Sequence, residues 1–174
     1  PDVADREIGT HFTKEKTIRF KSMIQEADKT EEKFNLEALS RVSKQYFTDV
    51  MEKATGKGLV LVNCMEKLTM NDPIATLKAR LNAALDAGVD GITMSAGLHL
   101  SSMKLMQENP RFNDALFGLV VSSARALNLF LKRTASLGRK LDYVVVEGPL
   151  AGGHLGFGED WRNFKLEDIV KDVV

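Results

Sequence analysis

The stretch Tyr143-Val144-Val145-Val146-Glu147-Gly148-Pro149-Leu150-Ala151-Gly152-Gly153-His154-Leu155-Gly156-Phe157-Gly158 passes from an apolar run straight into a loop that holds five glycines and one histidine. Val145 and Val146 read as a buried parallel strand, and the chain leaving the carboxyl end of such a strand is where α/β folds keep their ligands. Glycines let the backbone turn tightly and approach a ligand, and an imidazole that titrates near neutral pH is the usual proton carrier. The same residues also fit a long surface loop with an incidental histidine. Known phosphate motifs do not apply. Gly153, Gly156 and Gly158 run in the reverse of the dinucleotide fingerprint, and no Lys-Ser or Lys-Thr pair follows as in a P-loop.

Outward from this loop, short apolar runs alternate with helical patterns from Leu59 onward, the signature of repeated βαβ units and an α/β fold. Strands are predicted over 59–63, 91–95, 118–122 and 143–147. Between them, Asp72 is a good N-cap, Pro73 suits the first helical position, Ile74, Leu77, Leu81 and Leu85 form one face, and Gly88 ends the helix. Ser101 is a candidate cap for a short helix ended by Asn109-Pro110, Ser123 caps a helix containing Leu127, Phe130 and Leu131, and 166–174 begins another. Residues 1–57 are charged and read as helices, with Leu39, Val42, Tyr46, Phe47 and Val50 at the three-four spacing of a buried face. That segment is a candidate lid or an arm for contact in a homo-oligomer. Residues 58–174 form the α/β part.

Composition narrows the ligand class. The chain has 174 residues, of which 44% are hydrophobic and 28% charged, with 24 Lys+Arg against 24 Asp+Glu. This balance gives no basic surface for nucleic acid and no membrane-binding surface, and points to a small-molecule substrate. The single Cys64 excludes an intramolecular disulfide and fits a reducing, cytoplasmic compartment. No apolar run approaches transmembrane length, and the opening Pro1-Asp2-Val3-Ala4-Asp5 is not a signal peptide; Pro1 in place of Met suggests that the natural start lies upstream.

The segment Val146-Glu147-Gly148-Pro149-Leu150-Ala151-Gly152-Gly153-His154-Leu155-Gly156 resembles the glycine-histidine signature of the nitronate monooxygenases, formerly 2-nitropropane dioxygenases, and of the related flavin-dependent enoyl-acyl-carrier-protein reductases. Both are FMN enzymes on a TIM barrel. The resemblance extends over roughly residues 56 to 174: Leu61-Val62-Asn63 is similar to the third barrel strand, whose asparagine faces the flavin. Ala87 to Leu98 is similar to the approach to and end of the fourth strand, Val120-Val121-Ser122-Ser123 to the fifth, and Leu141 to Glu147 to the sixth. The fold implied is part of a TIM (β/α)8 barrel covering about four of its eight strands; since a full barrel needs roughly 250 residues, either these residues belong to a longer chain, the reading the resemblance favours, or the fold is a smaller open α/β sheet. The family's FMN-phosphate loops belong to strands that this sequence does not contain.

The resemblance implies FMN-dependent oxidation of alkyl nitronates or nitroalkanes by oxygen to a carbonyl compound and nitrite. His154 is then the catalytic base that removes the α-proton, and Asn63, Ser122, Glu147, Gly152 and Gly153 are the cofactor-binding residues. Glu147 stands where monooxygenases often carry glutamine and enoyl reductases glutamate, whereas Leu150 and Leu155 replace the family's common glutamate and arginine. A flavin- and nicotinamide-dependent enoyl reductase is therefore the alternative, and a non-catalytic module binding a phosphate or a partner is a second. Read without the family, Asn63 fits a turn cap as well as a ligand contact, and Glu147 fits a solvated strand end. His99 is a lesser candidate for the substrate pocket. Cys64 and Trp161 are expected to pack, Met65, Met70, Met94, Met103 and Met106 to fill the core, and His11 to lie at the surface. No set of His, Cys, Asp and Glu has metal-site spacing.

Overall fold

The computed structural model describes residues 35–66, 72–152 and 156–174. Their elements, in chain order, are α1 (Leu36–Lys53), β1 (Leu61–Met65), α2 (Pro73–Asp86), β2 (Gly91–Ser95), α3 (Ser102–Met106), β3 (Leu116–Val121), α4 (Ala124–Thr134), β4 (Tyr143–Val146) and α5 (Leu166–Val173). Met70, Gly153, His154 and the positions before Asn35, His11 among them, lie outside the described residues.

The four strands form one parallel sheet in the order β1-β2-β3-β4. Parallel neighbours need a crossover, and crossovers are right-handed. Strands laid down in chain order therefore send each crossover to the same side. A doubly wound sheet reverses its strand order at a switch point, and no such reversal occurs among these four strands.

Each strand alternates between two faces. Cys64, Ile92, Met94, Phe117, Leu119 and Val121 are buried with Leu77, Leu81 and Leu85 of α2 and Phe130 of α4 in a single core. The intervening residues form the opposite face, where Leu61, Met65 and Val145 remain exposed. Across this face Asn63 pairs in register with Thr93, Thr93 with Gly118, and Gly118 with Tyr143. The Tyr143 ring lies over Gly118 and its hydroxyl meets Thr93 Oγ1 at 2.6 Å. Any side chain at Gly118 would overlap that ring.

Two aspartates set the register at the amino ends of the strands. Asp90 precedes β2, and its Oδ2 accepts the Val60 N–H at 2.7 Å; Asp142 precedes β4, and its Oδ2 accepts the Phe117 N–H at 2.7 Å. Asp142 also receives Arg139 Nη2 at 2.6 Å, while the same guanidinium donates to the Ala115 carbonyl at 2.7 Å. Burial pushes the Asp142 carboxyl up, but the Arg139 and Phe117 hydrogen bonds outweigh it and hold the group below its ordinary value.

The expected boundaries and burial need correction, β4 included: it ends at Val146, before Glu147, and Val145 is exposed rather than buried, as is Val50 on the expected buried face of α1. The first strand runs two residues later than expected, over Leu61–Met65, because Val60 is taken by the Asp90 carboxylate and backbone. β3 begins at Leu116 and ends before Ser122. Ile74 is exposed in the first turn of α2, and only Leu77, Leu81 and Leu85 of the predicted face are buried. Ser101 makes no side-chain cap, and α3 ends at Met106, well short of Pro110. Asp72 and Ser123 do cap, accepting from Ala75 N and Ala126 N, and Gly88 takes the left-handed conformation that ends α2. Met94, Met103 and Met106 are core residues, but Met65 lies on the exposed face. Leu39 and Val42 of α1 are buried and Tyr46 is exposed; α1 packs along α2. None of the described helices is long and apolar enough to cross a membrane.

Gly118→Ala is expected to expel the Tyr143 ring and break its bond to Thr93, lowering stability in urea unfolding by about 1–3 kcal/mol, the usual cost of overpacking. An unchanged midpoint would show that the ring is not held there.

Candidate functional site

The carboxyl ends of all four strands lie at one end of the sheet, so the residues that follow them are neighbours by construction. Ser122 is the first residue after β3 and Glu147 the first after β4. The Glu147 N–H donates to the Val121 carbonyl at 2.8 Å, continuing the ladder and directing its side chain from the strand tip. From there the chain makes a turn in which the Ala151 N–H donates to the Gly148 carbonyl at 3.1 Å.

The glycine loop returns to the tips it left. The Gly156 N–H donates to Glu147 Oε2 at 3.4 Å, and the Gly156 carbonyl accepts from Ser122 Oγ at 3.4 Å. Both contacts are long, so each is weak alone. Their geometry is selective, because a Cβ at Gly156 would collide with the Ser122 side chain. Gly152, by contrast, has open space where its Cβ would be, and Leu150 is 84% exposed. Glu147 is thus a loop anchor as well as a strand end. His154 and Gly153 fall between Gly152 and Gly156, outside the described residues.

Asn63 sits on β1, exposed on the face opposite the core, which is uncovered among the described residues. It does not cap a turn: its Oδ1 accepts the Ser95 hydroxyl at 2.5 Å. The site residues therefore fall into two groups on the same sheet. Ser122 and Glu147 meet through Gly156 on β3 and β4, whereas Asn63 is tied to β2. Thr93, Ser95 and Tyr143 of the same face were missed in the sequence, although Thr93 and Ser95 alternate with the buried Ile92 and Met94 and so show the period of two that puts polar residues on one face.

His99 is fully buried and does not enter an open pocket. Its Nε2 lies 2.7 Å from the Ser95 carbonyl and its Nδ1 2.8 Å from Ser102 Oγ. Burial pushes the imidazole below its ordinary value, against the opposite pull of the Ser95 carbonyl and the Glu66 charge. Burial likewise raises the Cys64 thiol, against the pull of Arg80, and leaves it a packing residue. Trp161, expected to pack, is exposed, with the Arg162 guanidinium 5.2 Å from its ring. Among the described residues no cluster of His, Cys, Asp and Glu can hold a metal ion. No protein-family model and no curated protein matches the chain.

Two outcomes are expected. Gly156→Ala should release the far end of the loop without touching the core, so limited chymotrypsin digestion should cut faster beside Leu150 and Phe157 while the urea midpoint stays put; an unchanged cutting rate would mean that the anchor does not hold. The second concerns pH. The folded protein favours neutral His99, whereas the unfolded chain takes up a proton below about pH 6.5. The contribution of His99 is therefore complete above that value and is lost as the pH falls through it toward the lower folded value. Stability should drop on mild acidification, less steeply in His99→Gln; equal slopes would remove His99 as the cause.

Proposed function

We propose that this chain carries about four strands of a TIM barrel and that it acts as an FMN-dependent, cytoplasmic oxidoreductase of the nitronate monooxygenase type. The observation that carries the reading is the fastening of Gly156, through Ser122 and Glu147, to the carboxyl tips of β3 and β4. It makes the glycine-histidine loop a closed loop at the ligand end of a singly wound parallel sheet. The uncovered sheet face, with Asn63, Thr93 and Tyr143 in one row, suits the interior of a barrel that further strands complete.

The residues present fit the ring end of FMN. Asn63, with its oxygen engaged by Ser95, has its Nδ2 to donate to a ring acceptor, and Gly152, with open space where a Cβ would be, lets backbone approach closely; Gly153 enters by the resemblance alone. Ser122 and Glu147 hold the loop that covers the group. Bound FMN would supply the oxidation of a nitronate by oxygen, yielding a carbonyl compound and nitrite. The protein's own part is to orient the substrate, exclude water and, for a neutral nitroalkane, take the α-proton on His154. The Glu147 carboxylate, engaged with the Gly156 N–H, also favours a second reading as an enoyl-thioester reductase, in which His154 would give a proton instead of taking one.

The test uses the longest natural chain containing these residues. A two-band flavin spectrum, with FMN released on denaturation, and oxygen uptake with a nitroalkane are the expected results. His154→Ala should lose about 10²- to 10⁴-fold on a neutral nitroalkane and far less on the preformed nitronate, which has already given up that proton. Equal losses on both would refute the base role. Nicotinamide oxidation with an enoyl thioester would favour the reductase, and a colourless protein that takes up no FMN would leave only a binding module.

A further inference from the structure

We infer that His99 is a positioning residue, whose imidazole sets the Ser95 hydroxyl on Asn63 and so fixes which atom of the Asn63 amide faces the uncovered side of the sheet. The ring has no freedom in the arrangement seen. A carbonyl only accepts, so the bond to Ser95 requires the proton on Nε2, and Nδ1 then accepts from the Ser102 hydroxyl. The Ser95 carbonyl receives a second donor, the Glu66 N–H at 3.2 Å, and the Glu66 carboxylate in turn accepts the His99 N–H at 3.0 Å. Glu66, Ser95 and His99 thus close a ring of hydrogen bonds that joins the tips of β1 and β2 to the start of α3.

The backbone shows how firmly this ring is imposed. Ala96 and His99 both take positive φ, 49° and 50°, in a region that costs a side-chain-bearing residue and persists only where neighbours over-determine it. Between them, Gly97 lies so close to Glu66 that any Cβ would overlap its carboxylate group. With its carbonyl held by two donors, Ser95 is fixed in orientation, and its hydroxyl meets Asn63 Oδ1 at 2.5 Å. The Asn63 oxygen is engaged, and its Nδ2 is the atom presented. A network of this kind acts as a unit, so loss of a distant member moves the near one.

The consequence for a ligand rests on the flavin reading; the orientation of Asn63 does not. The experiment reads both, on the full chain, with His99→Ala, His99→Gln and Ser95→Ala. The side-chain amide signals of Asn63 in a nitrogen-15 spectrum, identified by their loss in Asn63→Asp, report orientation; quenching of FMN fluorescence reports affinity. His99→Ala should shift the Asn63 amide pair and weaken FMN binding about tenfold, the worth of one misplaced hydrogen bond. His99→Gln, which keeps a donor and an acceptor, should recover part of both. Ser95→Ala removes the hydroxyl itself and so marks the size of a full loss while the His99 ring keeps its Nε2–H signature; His99→Gln carries the test should His99→Ala fail to fold. Unchanged Asn63 signals in a folded His99→Ala or Ser95→Ala protein would overturn the inference; shifted signals with equal, measurable FMN affinity in all the proteins would uphold the positioning role and remove Asn63 as an FMN contact. Shifted Asn63 signals in a chain that binds no FMN would uphold the positioning role and remove the flavin reading.

Discussion

Four parallel strands laid side by side in chain order form the constraint on which everything else depends. Parallel pairing obliges every connection to cross from one end of the sheet to the other, and constant handedness obliges it to cross on one side. Helices and core therefore gather on one face, and every strand delivers its next residue to the same end. Asp90 and Asp142 stabilise this arrangement from the opposite end by accepting the Val60 amide just before β1 and the Phe117 amide near the start of β3. Division of labour between the ends follows directly: carboxylates at the amino ends hold register, and the carboxyl ends bring Ser122, Glu147 and Gly156 together.

The uncovered face is the second consequence. An all-parallel sheet is ordinarily covered on both sides, because its strands cannot present a hydrophobic surface to water without cost. Here that face mixes Leu61, Met65 and Val145 with Asn63, Thr93 and Tyr143, and the polar members are tied to one another or to Ser95. Such a mixture suits a surface that meets a ligand or further strands. The glycines serve the same end by permitting close approach, as at Gly118 under the Tyr143 ring and at Gly156 against Ser122.

Much of this was legible in the residues. β2, the N-caps at Asp72 and Ser123, and the left-handed Gly88 follow from local rules that tertiary contacts reinforce. The start of β1 was misplaced because the pairing of Val60 with Asp90 is thirty residues distant in sequence, beyond any local signal. Ser122 and Glu147 stand out in the sequence only through the resemblance, and what brings them together is a third residue, Gly156, whose requirement for glycine only the close approach to Ser122 discloses. Nothing local in the sequence marks His99 as buried; its burial goes with a turn in which Ala96 and His99 take positive φ and the His99 N–H donates to Glu66, which no propensity scale encodes.

The most direct test of the account is hydrogen–deuterium exchange with and without FMN, on the longest natural chain containing these residues. Protection by FMN should concentrate in peptides that cover the tips of β1 and β2 and the segment from Glu147 to Gly158, and leave the amino ends around Asp90 and Asp142 unaltered. Protection confined to the helix-covered side or to the amino ends, or no protection at all, would contradict the placement of the site at the carboxyl ends of the strands.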